Sequence, residues 1–148
     1  MNFSFHHDSK NRYEDILITL DDLGFHKKVD SFLFLKNAVA ENFSSSTEAE
    51  VLYHYFSTVL SRIIGLENLS ETLVLFEFSD QYCGGFKLVC NELSQFHVTY
   101  IVYESVSLDP FSLLDKRSLA AEILSSEFLG KVNRIDFLNG YMKSLLEL

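Results

Sequence analysis

The chain has 148 residues, 47% of them hydrophobic, with one Pro, six Gly and no Trp. That length suits a single domain burying roughly 70% of its unfolded surface, and so little Pro and Gly excludes a loop-dominated or low-complexity chain. Twelve Lys and Arg against 21 Asp and Glu give a formal charge of −9, which repels phosphate backbones and anionic lipid and favours basic partners.

Met1 to Lys10 is polar and His-rich, which speaks against a signal peptide. Within it Phe3-Ser4-Phe5 alternates and is a candidate short strand. A helix is expected from about Asn11 to Leu23, because Tyr13, Ile16, Leu17, Leu20 and Leu23 recur at helical spacing opposite Glu14, Asp15, Asp21 and Asp22. Ser9 or Asn11 would cap its start, and Gly24 would stop it. Lys27 to Phe43 also reads as helix, on Val29, Phe32, Leu33, Val39 and Ala40, although Ser31 to Lys36 fits a short strand equally well.

Thr47 and Glu50 form a capping-box pattern ahead of the strongest helix, which runs to Ile64 and stops at Gly65. Val51, Leu52, Tyr55, Phe56, Val59, Leu60 and Ile63 supply its core-facing stripe. His54, Ser57, Ser61 and Arg62 interrupt it too often for a membrane span.

Glu71 to Glu104 alternates with period 2 and reads as three antiparallel strands. Strict alternation puts Val74, Phe76 and Phe78 on one face and Leu73, Leu75 and Glu77 on the other. Ser79 to Gly85 reads as a loop whose paired glycines take positive φ. Phe86, Leu88 and Cys90 share a face on the second strand, as do Val98, Tyr100 and Val102 on the third. Cys83 and Cys90 flank the hairpin; their spacing suits no metal, and they read as two reduced thiols or as a pair that meets across the turn. A cytoplasmic location follows from that cysteine usage.

Asp109-Pro110 then starts a helical stretch expected to reach Phe128, and Gly130 ends it. Val132 to Leu146 closes the chain as a last helix. Its Gly140 costs about 1 kcal/mol against Ala, so the helix either kinks there or packs closely on a neighbour. The sum is an α+β fold: one domain over 1–148, with an antiparallel three- to four-stranded meander at about 72–104 packed against N- and C-terminal helices.

No constellation for a specific chemistry stands on this framework. There is no G-x-S-x-G, and Cys83 beside Gly84-Gly85, with His97 across the sheet, is the only pair resembling a nucleophile and its base. His6 and His7 are neighbours that point to opposite faces of an extended chain, which does not clasp one ion. Gly84-Gly85 lacks a phosphate-loop pattern, and no basic stripe suits nucleic acid. Neither a cofactor nor a metal is expected, and the chain does not read as an enzyme.

Residues 41–80 hold seven acids and one base, two-thirds of the excess negative charge. Glu48 and Glu50 complement a helix N-terminus, and Glu41 suits a solvated helix end. Glu67, Glu71, Glu77 and Asp80 remain, with Tyr82 in the hairpin loop, as a candidate partner-binding set. In overall character, one acidic domain without catalytic machinery, the chain resembles the immunity proteins of bacterial contact-dependent growth inhibition. That resemblance rests on no motif and carries no residue across. It implies a cytoplasmic protein that binds and neutralises a cognate toxin with a basic surface, often a nuclease, without contacting nucleic acid or membrane. A regulatory adaptor that binds another protein, and a small hydrolase built on scattered carboxylates or Cys83, are the alternatives.

Overall fold

The computed structural model describes residues 3–8, 10, 14–30, 47–79, 81–104 and 122–148. Two antiparallel sheets and two helices make an α+β fold. The first sheet runs β1 (Phe3–His7), β2 (Ile16–Leu20) and β3 (Phe25–Val29), in that order. The second is a four-stranded meander of β4 (Glu71–Phe78), β5 (Tyr82–Cys90), β6 (Gln95–Glu104) and β7 (Ile123–Asn133). Helix α1 spans Glu48–Ile64 and α2 spans Arg134–Leu146.

The helix expected at 11–23 is replaced by strand β2 and a 3-10 turn at Asp21–Leu23. Ile16 to Leu20 is the central strand of its sheet, buried on both faces, so its apolar residues run nearly without interruption. Such a run carries no period that distinguishes strand from helix. Gly24 takes the left-handed conformation at φ 68°, so it does stop an element, but a short turn and not a long helix. Lys27 to Val29 belong to β3, again not to a helix; from Ser31 onward that expected helix lies outside the described residues.

Helix α1 forms as the sequence indicates, with the Thr47 side chain accepting the Glu50 N–H at 3.2 Å. The C-terminal helix also forms, with Asn133 as its cap and the Asp136 N–H donating to it at 3.1 Å. The helix expected to end at Phe128 does not extend that far: Ile123 to Phe128 pair with β6, and residues 105–121, with Asp109-Pro110, lie outside the described residues. Two register shifts leave Leu129 and Leu124 as extra residues in β7, which breaks the alternation that would have marked a strand.

The core lies between the sheets and under the helices. Phe3 stacks on Phe137 (centroids 4.7 Å) and Tyr141 (5.3 Å), and meets Phe86 edge-on at 6.1 Å. Phe5 stacks on Phe56 at 4.3 Å, which brings α1 to β1. Gly140 packs on β1 so closely that a methyl group there would overlap the Phe3 carbonyl oxygen, so the close-packing reading of this glycine holds.

Strand edges expose unpaired backbone groups, and here helix side chains bond one on β4 and one on β1. The Tyr55 hydroxyl of α1 donates to Leu75 O on the edge strand β4 at 2.8 Å, while Arg62 bonds a side chain of the same strand, Thr72 Oγ1, at 3.0 Å. Ser144 of α2 accepts the Phe5 N–H of edge strand β1 at 3.1 Å. Strand β3 meets β4 through Lys27 and Glu77. On β7, the 3-10 turn covers Gly130 through Leu23, but every residue from Glu122 to Phe128 is exposed. No helix among the described residues is long and apolar enough to cross a membrane.

Candidate partner-binding surface

Residues directly opposite each other in an antiparallel sheet share a face. Glu71, Val89, His97 and Lys131 therefore form one row on the outer face of the meander, and Leu73, Lys87, Thr99 and Phe128 form the next. This end of the face is open except at Leu73, which is buried: Glu71 and Lys131 are exposed, Val89, His97, Lys87 and Thr99 are half-buried, and Phe128 is 59% exposed. The Phe128 ring lies 6.1 Å from that of His97, and Lys87 Nζ reaches to 3.9 Å from Glu71 Oε2. Farther along the same face Leu75, Phe78, Cys83, Ile101 and Tyr103 are buried.

Glu67 joins Glu71 at the corner where α1 hands over to β4. Both line a cavity of ≈ 290 Å³ together with Arg62, Ser70 and Thr72. The C-terminal end of α1 also faces this corner, where Arg134 donates to Ile64 O at 2.9 Å and Arg62 lines the cavity, so cations stand near the two carboxylates. Two of the five candidate residues are thus brought together.

Glu77 and Tyr82 stand elsewhere. Leu75 pairs with Gly85 and Glu77 with Gly84, so Phe76 is an extra residue in β4. That bulge turns both Phe76 and Glu77 to the inner face, where strict alternation had separated them. Phe76 meets Phe86 at 5.0 Å, while Glu77 is only 7% exposed. Its Oε1 accepts the Tyr100 hydroxyl at 2.7 Å and its Oε2 pairs with Lys27 Nζ at 3.0 Å. Glu77 is therefore part of the core and no solvated strand residue. Tyr82, half-buried, shares a second cavity of ≈ 290 Å³ with Glu77, Lys27 and Lys28 at the far end of β4. Asp80 lies outside the described residues.

Gly84 and Gly85 fall within β5 and not in a loop, and neither has positive φ. Their role is close approach: a Cβ on Gly85 would lie 2.7 Å from the Leu75 Cα, and one on Gly84 would lie 3.2 Å from Glu77 Oε1. The bulge and the glycines are one arrangement, since the crowded strand must be matched by a bare one.

Burial pushes the Tyr100 phenol up to about 12, and the neighbouring Glu77 carboxylate adds to that while Lys27 opposes it. For Lys27, burial acts to lower the pKa, but the bonds to Tyr100 and Glu77 outweigh it and leave the ammonium above its ordinary value. Both groups hold a proton more tightly when folded, so their contribution is complete below pH ~10 and is lost as pH rises toward about 12. Urea midpoints measured from pH 9 to 12 should fall across that window, and Tyr100→Phe should flatten the fall. Glu77→Ala should cost about 2 kcal/mol in the same denaturation measurement, because it leaves Lys27 and Tyr100 without their acceptor; the exposed part of Lys27 keeps the figure below that of a fully buried pair.

Nucleophile chemistry finds little support in this geometry. Cys83 is 3% exposed, and burial pushes its thiol pKa up, away from the reactive thiolate. Cys83 pairs with Tyr103, and His97 lies six residues earlier on β6, so the two stand about 20 Å apart. Cys83 and Cys90 are both free; they lie on one extended strand, about 23 Å apart, and cannot meet across a turn. His6 is exposed while His7 turns inward to bond Asp15 Oδ2 at 3.0 Å, so the two do point to opposite faces. Among the described residues no three His, Cys, Asp or Glu side chains group as metal ligands.

Lys27 and Tyr100 were not singled out by the sequence, and nothing local marks them, because the bulge that joins them to Glu77 appears only in the strand register. Ile123 and Leu124, which the helical reading turns inward, are instead each 54% exposed on β7. Comparison with protein families, with curated proteins and with solved structures finds no match to this chain.

Proposed function

We propose that this protein is a small acidic inhibitor that binds a cognate toxin domain in the cytoplasm and neutralises it by covering a basic surface, in the manner of immunity proteins. The observation that carries the reading is the pairing of the exposed Glu67 and Glu71 at one open corner, in a chain of charge −9. A basic nuclease site is suited to phosphates, and carboxylates held at an exposed corner compete for the same Lys and Arg side chains. The open rows of the meander, with Phe128 exposed and His97 half-buried, supply the apolar and aromatic contact that an interface needs besides charge. Glu77, buried in its bond to Tyr100, is left out of the contact set.

The test is twofold. A toxin gene should lie directly upstream of this one, and its purified toxic domain should bind the chain. Glu67→Lys with Glu71→Lys should slow association about tenfold at low salt and reduce its salt dependence, with dissociation less affected. Unchanged kinetics would remove the corner from the interface. A regulatory adaptor would bind its partner without rescuing any neighbouring toxin.

A further inference from the structure

The outer edge of β7 is a second place where this fold presents itself to other molecules. The edges of β1 and β4 are bonded by helix side chains, and β3 is held against β4. From Glu122 to Phe128 the edge is bare among the described residues, and its side chains include Ile123 and Leu124, each 54% exposed, and Phe128. A long edge with exposed apolar side chains is what soluble proteins ordinarily avoid. Of the usual protections, 122–128 has one extra residue, Leu124, and the charge of Glu127, but no proline and no lysine.

We propose that residues 122–128 of β7 receive an added strand from a basic partner, which extends the meander to five strands. Charge selects the occupant. Glu122 and Glu127 lie on the edge itself, and Glu104 is tied to it by its N–H donating to Glu122 O at 2.8 Å, so three exposed acids flank the apolar side chains. An extended segment alternating Lys or Arg with Val, Ile or Thr would satisfy the backbone of β7, cover Ile123 and Phe128, and neutralise those acids. A second copy of this chain would bring another charge of −9 to the same edge. The proposal rests on the inhibitor reading for the identity of the basic partner, but the edge can be tested without a toxin.

The probe is an eight-residue peptide of alternating Lys and Val, compared with the same peptide N-methylated on alternate residues, which keeps the charge and removes the backbone donors of one edge. Binding is followed by amide hydrogen exchange of the whole chain. The unmodified peptide should slow exchange within 122–128 at least about tenfold, the N-methylated peptide should not, and Glu122→Lys with Glu127→Lys should weaken binding about tenfold at low salt. Equal binding of both peptides, or protection elsewhere only, would overturn strand addition. Protection of 122–128 that rises with protein concentration and no peptide would overturn the foreign strand in favour of a second copy. Absence of a neighbouring toxin gene would defeat the inhibitor reading and leave these exchange results standing.

Discussion

Gly140→Ala lowers the stability of this protein by about 2 kcal/mol or more, although on an isolated helix the same change would gain about 1 kcal/mol. Gly140 lies in the middle of α2 and is buried against β1. A methyl group there overlaps the Phe3 carbonyl oxygen and comes within 3.4 Å of the Phe3 nitrogen, so the helix or the strand must move. Moving α2 outward also lengthens the bond from the Phe5 N–H to Ser144 and loosens the stacking of Phe137 and Tyr141 on Phe3. Asn139→Ala, one residue earlier and exposed, serves as the control and should leave stability equal or slightly higher. Urea unfolding of the two variants decides the matter. A Gly140→Ala protein as stable as the parent would mean that α2 does not seat on β1.

Phe3→Ala costs about 3–5 kcal/mol, roughly a fifth or more of the stability of an ordinary domain. The ring is fully buried and touches β5 through Phe86, α2 through Phe137 and Tyr141, and its own strand through Phe5. Few other side chains join both sheets and a helix, and the cavity left behind is walled by rigid aromatic rings that cannot collapse into it. Phe25→Ala, at a partly exposed ring of the same cluster, should cost less. Guanidinium midpoints with unchanged slopes would establish the order; equal losses at both positions would contradict the packing described.

The parts of this fold that were legible in the sequence are those whose local pattern and tertiary role agree. Helix α1 has a cap, a one-sided apolar stripe and a glycine stop, and the meander alternates because much of it is half-buried. Strand β2 was misread because a central strand covered on both faces loses its alternation, and Ile16, Leu17 and Leu20 then satisfy helical spacing by accident. Strand β7 was misread for the opposite reason: it is exposed over 122–128, and two extra residues interrupt its period. For the candidate site, Glu67 and Glu71 are near enough in sequence for their proximity to be foreseen. Glu77 was placed on the wrong face because one extra residue, Phe76, reverses every side chain that follows it in the strand.

The bond between the Phe5 N–H and Ser144 joins residues 139 apart. During synthesis β1 leaves the ribosome early, while α2, its outer neighbour, follows only after the whole meander has been made. At about 5–20 residues per second that delay is on the order of ten seconds, during which Phe5 can meet Phe56 of α1 but Phe3 lacks the rings of Phe137 and Tyr141. The packing of β1 is therefore completed only once α2 has been made, because Phe3 and the Phe5 N–H both depend on it.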